Sequence, residues 1–479
     1  MPSESTVLIV DNQHLSDAKK IIRERIIPWE GLSRADVISE DDANHIKILE
    51  KQSLDNKYST ILSQLQLYSN TLLNVLNKLN VNSKDDVLKN VLNLINDLLI
   101  DLPKQEFLDT LLDLSKVDDS LPYYPFLKHL DNNDTLIKTL SLYNLTILLT
   151  KKGKTDPHAK IDKEILIRIF DLLSSDSFIG NPQDINMQIV GIQLLQELLL
   201  VKNFKEIYQG HNLISNFKPI NNLIARLSRQ PNNSSLQLVY NVLLTAWILS
   251  FSASINRSLV HNYPELIGSL LIMAKDSIKS KIVRVSVAIL KNFVTITTSN
   301  SEQFKIIKLV LFHDGLSTVG TLKERKFASN GSDEELSNDL SDLSDSLNEI
   351  VKEKLTSLDE YLTELENPNL ISWSSPTHKS QQFWEENAPK FKENSFKLVK
   401  KMLDILSSKP DKALSTIIIL NDLQFLIQNL GQDLIDFINT ENGGQYKLLI
   451  MGFLGDSNGN TELKYEALKT VQLLVGQHF

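Results

Sequence analysis

Leu, Ile and Val recur at three- and four-residue steps over six long segments: residues 135–150, 185–201, 236–252, 282–297, 413–430 and 463–475. Each run is too long for a strand, so the periodicity predicts helices. Apolar residues also fall on most sides of each helix rather than on one stripe, which predicts nearly complete burial. Stretches rich in Gly, Asn, Pro and Ser separate them, as at 177–182, 230–235 and 456–460. The first four runs start about fifty residues apart, the spacing of HEAT and armadillo repeats. Amphipathic partners flank them, for example 163–173 and 263–275. One helix pair cannot bury an all-round apolar helix, whereas stacked neighbours can. The expected fold is therefore all-α: a HEAT/armadillo-like helical-repeat solenoid with a smaller C-terminal helical-repeat domain.

The pattern breaks once. Residues 328–348 (ASNGSDEELSNDLSDLSDSLN) are rich in Ser, Asp, Glu and Asn and read as a solvated acidic linker. Beyond it Leu347, Ile350, Leu355, Leu358, Leu362 and Leu365 resume helical spacing. The expected division is a solenoid over 1–327, an acidic hinge over 328–346 and a helical domain over 347–479. Ser332, Ser337 and Ser341 have acidic neighbours downstream and are candidate phosphorylation sites in the hinge.

Composition sharpens this picture by exclusion. The 479 residues are 42% hydrophobic and 23% charged, enough for a sizeable core. Gly 16 and Pro 14 are low for a turn-rich β protein. A net charge of −9 and a pI near 5.6 argue against nucleic-acid partners. With no cysteine, disulfides and thiolate metal sites are excluded, which fits a reducing compartment. The N-terminus carries only a short apolar run, Val7 to Val10, without the basic start of a signal peptide. The uncharged stretch 230–256 is long enough for a membrane test, but Gln237, Asn241, Thr245, Ser250 and Ser252 interrupt it. A buried core helix is expected there instead of membrane insertion.

Candidate chemistry is sparse. The segment Gly315 to Thr321 has two glycines but lacks the Lys of a phosphate loop and follows a helix. Asp41 with His45, and His261 with Glu265, are four apart and make two-ligand pairs at most. The run 456–462 (DSNGNTE) is too short for a calcium loop. Ser39 and Asp42 fit the start of a helix, in capping-box positions. Sequons at Asn133, Asn144, Asn233, Asn256 and Asn330 are expected to be unmodified, Asn144 lying mid-helix. No catalytic, cofactor or metal site is expected. What remains is a surface for protein partners, and a generic armadillo/HEAT-type peptide-binding adaptor is the alternative reading. Such adaptors repeat Trp/Asn pairs along the groove, and only Asn241 with Trp247 approaches one.

Three stretches add a family. Residues 355–391 carry Ser357, Asp359, Glu360 and Tyr361, then Trp373, Ser374 and His378, then Phe383, Trp384 and Asn387. This resembles the signature of the H subunit of the vacuolar (V-type) proton-translocating ATPase, with one extra residue between Ser374 and His378. Gly443-Gly444 followed by Lys464 to Lys469 and Gln472 is similar to the family's closing repeat. Pro28 to Gly31 followed by Ile38 to Asn44 is similar to its N-terminal region, especially in fungi. The resemblance implies a non-catalytic regulatory subunit, needed by the assembled pump and silencing ATP hydrolysis by the detached ATPase sector. It implies that the N-terminal repeats bind the E and G subunits of the peripheral stalk. The C-terminal domain would contact the a subunit of the membrane sector, and the central rotor and catalytic hexamer after detachment. It places the chain in the cytoplasm, peripheral on vacuolar and endomembranes. Within the C-terminal domain the loop Ser407, Ser408, Lys409, Pro410, Asp411 and Lys412 joins two apolar helices and is the candidate inhibitory contact. Trp373, Phe383 and Trp384 are expected to be core anchors.

Overall fold

A computed structural model describes residues 7–81, 84–118, 120–156, 161–325, 333–353, 357–408, 413–455 and 460–476. Among the described residues the secondary structure is helical, with no strand. The chain is an all-α helical-repeat protein, as the periodicity predicts. Its contacts group into two compact units, residues 1–266 with 277–285, and residues 267–276 with 286–479.

In the first unit the apolar runs form helices Thr135–Thr155, Ile185–Leu199 and Leu236–Leu249, and each start is fixed by a side-chain cap. Asp134 accepts from the Leu136 and Ile137 amides, Asp184 from Met187 and Ser235 from Leu238. Those caps satisfy otherwise orphaned N–H groups at the first turn, worth about 1 kcal/mol each. Helix Thr135–Thr155 packs on Asp85–Asp101 and on Ile185–Leu199, which packs in turn on Leu236–Leu249. Every residue from Thr139 to Thr150 is buried, which is why the run shows no polar face. The uncharged stretch 230–256 holds the short, largely buried helix Leu236–Leu249 and the first turn of helix Ala253–Asn262. The one described helix long and apolar enough to cross a membrane, Ala413–Leu430, is mostly buried against its neighbours and reads as a core helix.

Polar residues inside these helices link one repeat to the next. Asn144 donates to the Leu92 carbonyl at 3.0 Å and accepts from Asn96 at 2.8 Å, both fully inside. Its sequon is thus closed to any modifying enzyme. We expect Asn144→Leu, similar in volume, to lose about 2 kcal/mol by orphaning the buried Asn96 side-chain amide and removing the second bond to the Leu92 carbonyl. A shift in urea midpoint at constant slope measures it; an unchanged midpoint would show the two bonds to be dispensable. Residues 7–12 are not helical but lie on these repeats. Tyr143 Oη accepts from the Val10 amide (2.8 Å) and donates to the Leu8 carbonyl (2.9 Å), and the Gln193 amide group exchanges two bonds with Asp11.

In the second unit the expected linker is largely absent. Residues 328–332 lie outside the described residues, but Glu334–Glu353 is a helix. Leu336, Leu340, Leu343 and Leu347, spaced four, three and four apart, are fully buried against helices Asn300–Phe312 and Gly315–Glu324. Lys291 pairs with Asp339 at 3.2 Å and Asp342 at 3.7 Å. The Ser/Asp/Glu residues that suggested solvation occupy the outer face of an amphipathic helix, whose apolar stripe needs only every third or fourth position. Ser337 and Ser341 sit on this helix; Ser332 lies outside the described residues. Beyond it an apolar cluster runs from Tyr361 to Leu474, built on Leu358–Glu366, Gln381–Ser407 (a helical segment broken at residues 393–396), Ala413–Leu430 and Thr461–Val475.

Candidate functional site

The residues weighed for metal or nucleotide chemistry do not converge. His45 Nδ1 meets the Thr71 hydroxyl at 3.3 Å and its ring packs edge-on to Tyr68, while Asp41 is exposed. Glu265 accepts from Asn221 at 3.0 Å. The glycines at 315 and 320 lie in helix Gly315–Glu324, preceded by helix Asn300–Phe312. Among the described residues no three His, Asp or Glu side chains are placed to hold a metal ion. Ser39 does cap its helix, accepting from the Asp42 amide at 3.1 Å. Residues 456–459 lie outside the described residues.

The signature residues assemble around one buried ring. Tyr361 lies 5.2 Å from Trp384, 5.7 Å from Phe383 and His378, and 5.8 Å from Phe391, mostly edge to face. Phe383 and Trp384 are buried, whereas Trp373 is half-buried with Lys379 Nζ 5.0 Å over its ring. Asn387 donates to the Phe383 carbonyl at 2.8 Å. Such rings contribute by area and by edge-to-face contact.

A charged network threads this cluster, and the sequence reading missed it. His378 Nδ1 is 2.8 Å from Asp422, and Nε2 is 3.2 Å from Glu364. Tyr361 donates to the same Asp422 oxygen at 2.9 Å, and Asn421 donates to the His378 carbonyl at 2.7 Å. The His378 and Asp422 side chains are 1% and 0% exposed. Burial opposes a charge on His378, but Asp422 and Glu364 outweigh it and raise the imidazole to about 10. Burial, then Asp422, pushes the Tyr361 phenol well above its usual value. At neutral pH the ring is an imidazolium clamped by two carboxylates. Closed to solvent, the cluster ties helix Leu358–Glu366 and the turn at 376–379 to helix Ala413–Leu430. One signal for it existed: Asp422 is the lone charge in the apolar helix Ala413–Leu430, and buried acids are almost always paired.

The candidate contact loop begins where helix Gln381–Ser407 ends. The Ser407 hydroxyl donates to the Leu403 carbonyl at 2.9 Å and that of Ser408 to Ile405 at 2.7 Å, so both are turned back on the helix. Lys409, Pro410, Asp411 and Lys412 lie outside the described residues.

Two family models, both described as the V-ATPase H subunit, match the chain in tandem, one over residues 13–347 and the other over 354–479. The chain is 26% identical to the V-type proton ATPase H subunit of Drosophila melanogaster, over 99% of this chain and 92% of that protein. It is 25% identical to the protein of that name from Dictyostelium discoideum, covering 95% and 93% of the two chains. A probable V-type proton ATPase H subunit from Oryza sativa subsp. japonica is 25% identical over 85% of this chain and 86% of its own. With both halves matched in order and the helical-repeat fold in place, the chain belongs to the V-ATPase H-subunit family.

Proposed function

We propose that the chain is a non-catalytic regulator of the vacuolar proton pump, required by the assembled pump and silencing ATP hydrolysis by the detached ATPase sector. Its N-terminal repeats bind the E and G subunits of the peripheral stalk. Its C-terminal domain rests on the a subunit of the membrane sector in the assembled pump and moves to the central rotor and catalytic hexamer after detachment. The protein works on the cytosolic face of vacuolar and endomembranes without entering the bilayer. One observation supports this reading: an apolar cluster runs from Tyr361 to Leu474, and the two family models meet between residues 347 and 354, just before it. A domain with its own core can change partners without unfolding, whereas a domain sharing a core cannot. Because helix Glu334–Glu353 fills most of the expected hinge, the pivot is assigned to the boundary between helices Glu334–Glu353 and Leu358–Glu366, where the two family models meet. The loop 407–412 is the inhibitory contact, with Lys409 and Lys412 meeting acidic partner surfaces.

The test is to add the purified chain to a detached ATPase sector lacking this component and to follow MgATP hydrolysis. The rate is expected to fall by at least about tenfold at saturation. A chain that neither binds nor slows hydrolysis would sink the proposal.

A further inference from the structure

We propose that Lys308 and Glu360 form a breakable latch that holds the C-terminal domain in one orientation at the pivot. Lys308 lies on helix Asn300–Phe312 and makes an ion pair with Glu360, in the first turn of helix Leu358–Glu366. Both residues lie in the second compact unit, and each end is rooted in its own set of packed helices. Helix Asn300–Phe312 buries Ile306, Ile307, Val310 and Leu311 and packs on helix Glu334–Glu353. Lys308 Nζ also sits 5.7 Å from the Phe304 ring one turn earlier, which narrows its choice of rotamers. On the far side, the Ser357 hydroxyl caps the Glu360 amide at 3.3 Å, and the next residue, Tyr361, is the centre of the C-terminal core. A pull on Glu360 is therefore transmitted to the whole domain, while the covalent connection runs through residues 354–356.

Exposure separates this pair from the one around His378. The His378 clamp is sealed, its His378 and Asp422 side chains being 1% and 0% exposed. The Lys308 and Glu360 side chains are 26% and 13% exposed, so water and salt reach the pair. A partly exposed pair is worth a factor of about five in population, enough to bias an orientation yet small beside a docking interface. The pair also has a separation of 52 residues, close to the 48 of Asn96–Asn144 and the 44 of His378–Asp422, so it follows the register by which one repeat meets the next. In this arrangement the C-terminal domain continues the repeat stack; breaking the latch frees it to turn. The consequence for regulation rests on the function proposed above, but the latch itself does not.

The chain has no cysteine, so Lys305→Cys and Thr363→Cys, both exposed, accept one spin label on each side of the joint. Double electron–electron resonance on the isolated protein is expected to give one dominant distance. Lys308→Glu should raise the fraction outside that peak about fivefold, and the exchanged pair K308E/E360K should restore it. Glu360→Gln, which keeps the side-chain shape, and high salt with no substitution at the pair should both broaden the distribution, covering the case in which Lys308→Glu misfolds. A broad distribution in the labelled parent, one that neither charge change nor salt alters, or a failed rescue by the exchanged pair would each overturn the latch. Because the measurement involves no ATPase, its failure leaves the silencing assay to decide the regulatory reading separately.

Discussion

Replacing His378 by Ala is expected to cost the C-terminal domain about 3–5 kcal/mol, because two buried carboxylates lose their shared cation. Asp422 and Glu364 have no solvent to turn to: their side chains are 0% and 6% exposed. Hydrogen exchange across helices Gln381–Ser407 and Ala413–Leu430 should accelerate, while that of Thr135–Thr155 stays unchanged. His378→Gln keeps a donor but no charge and should fall between. Folded His378 titrates near 10 and an unfolded imidazole near 6.5, so the folded state binds this proton more tightly. The clamp's contribution is therefore complete below about pH 6.5 and fades as pH rises towards 10. Between those limits the wild-type domain should lose stability steadily, and the Ala variant should lose this part of the slope. Tyr361 adds its own loss only above about pH 10, where an unfolded phenol ionises. Equal stability of wild type and His378→Ala at pH 7 would mean that the clamp is not the anchor of this domain.

Ending the chain at Glu353 should abolish silencing of the detached ATPase sector while leaving stalk binding within about twofold of the full-length protein. The cut respects the packing: Leu336, Leu340, Leu343 and Leu347 stay on helices Asn300–Phe312 and Gly315–Glu324, so no apolar stripe is bared there. The apolar cluster from Tyr361 to Leu474 is removed as a whole. Silencing is lost because the inhibitory surface is gone, not because the tether fails. Supplying that domain separately would forfeit an effective concentration that short tethers raise to about millimolar. Affinity for the stalk proteins is read by titration and silencing by the hydrolysis rate. If the shortened protein still silences fully, the inhibitory contact lies in the N-terminal repeats.

Most of the fold was legible in the sequence because burial and helical period act locally. The run around Asn144 had to be an interior helix: its apolar residues at three- and four-residue steps leave no polar face. The acidic segment misled because composition averages over faces. In helix Glu334–Glu353 four leucines at the right spacing outweigh the acids between them, and that is visible only when the helix has something to cover. The candidate site divides in the same way. Tyr361, Trp373, His378, Phe383 and Trp384 could be picked out as a set because one stretch resembles the family's signature. Their chemistry could not, since Asp422 comes 44 residues after His378, on another helix.

The sequence by itself therefore determined an all-α repeat protein, its interior helices, and a set of signature residues without an evident active site. Only the tertiary structure decided that His378 is a clamped imidazolium, that the acidic segment is a packed helix, and that Lys308 reaches Glu360. The reason is physical. Helix formation and burial follow from neighbours three and four residues away, whereas a charge's meaning depends on which distant partner the repeats bring to within 3 Å or so of it.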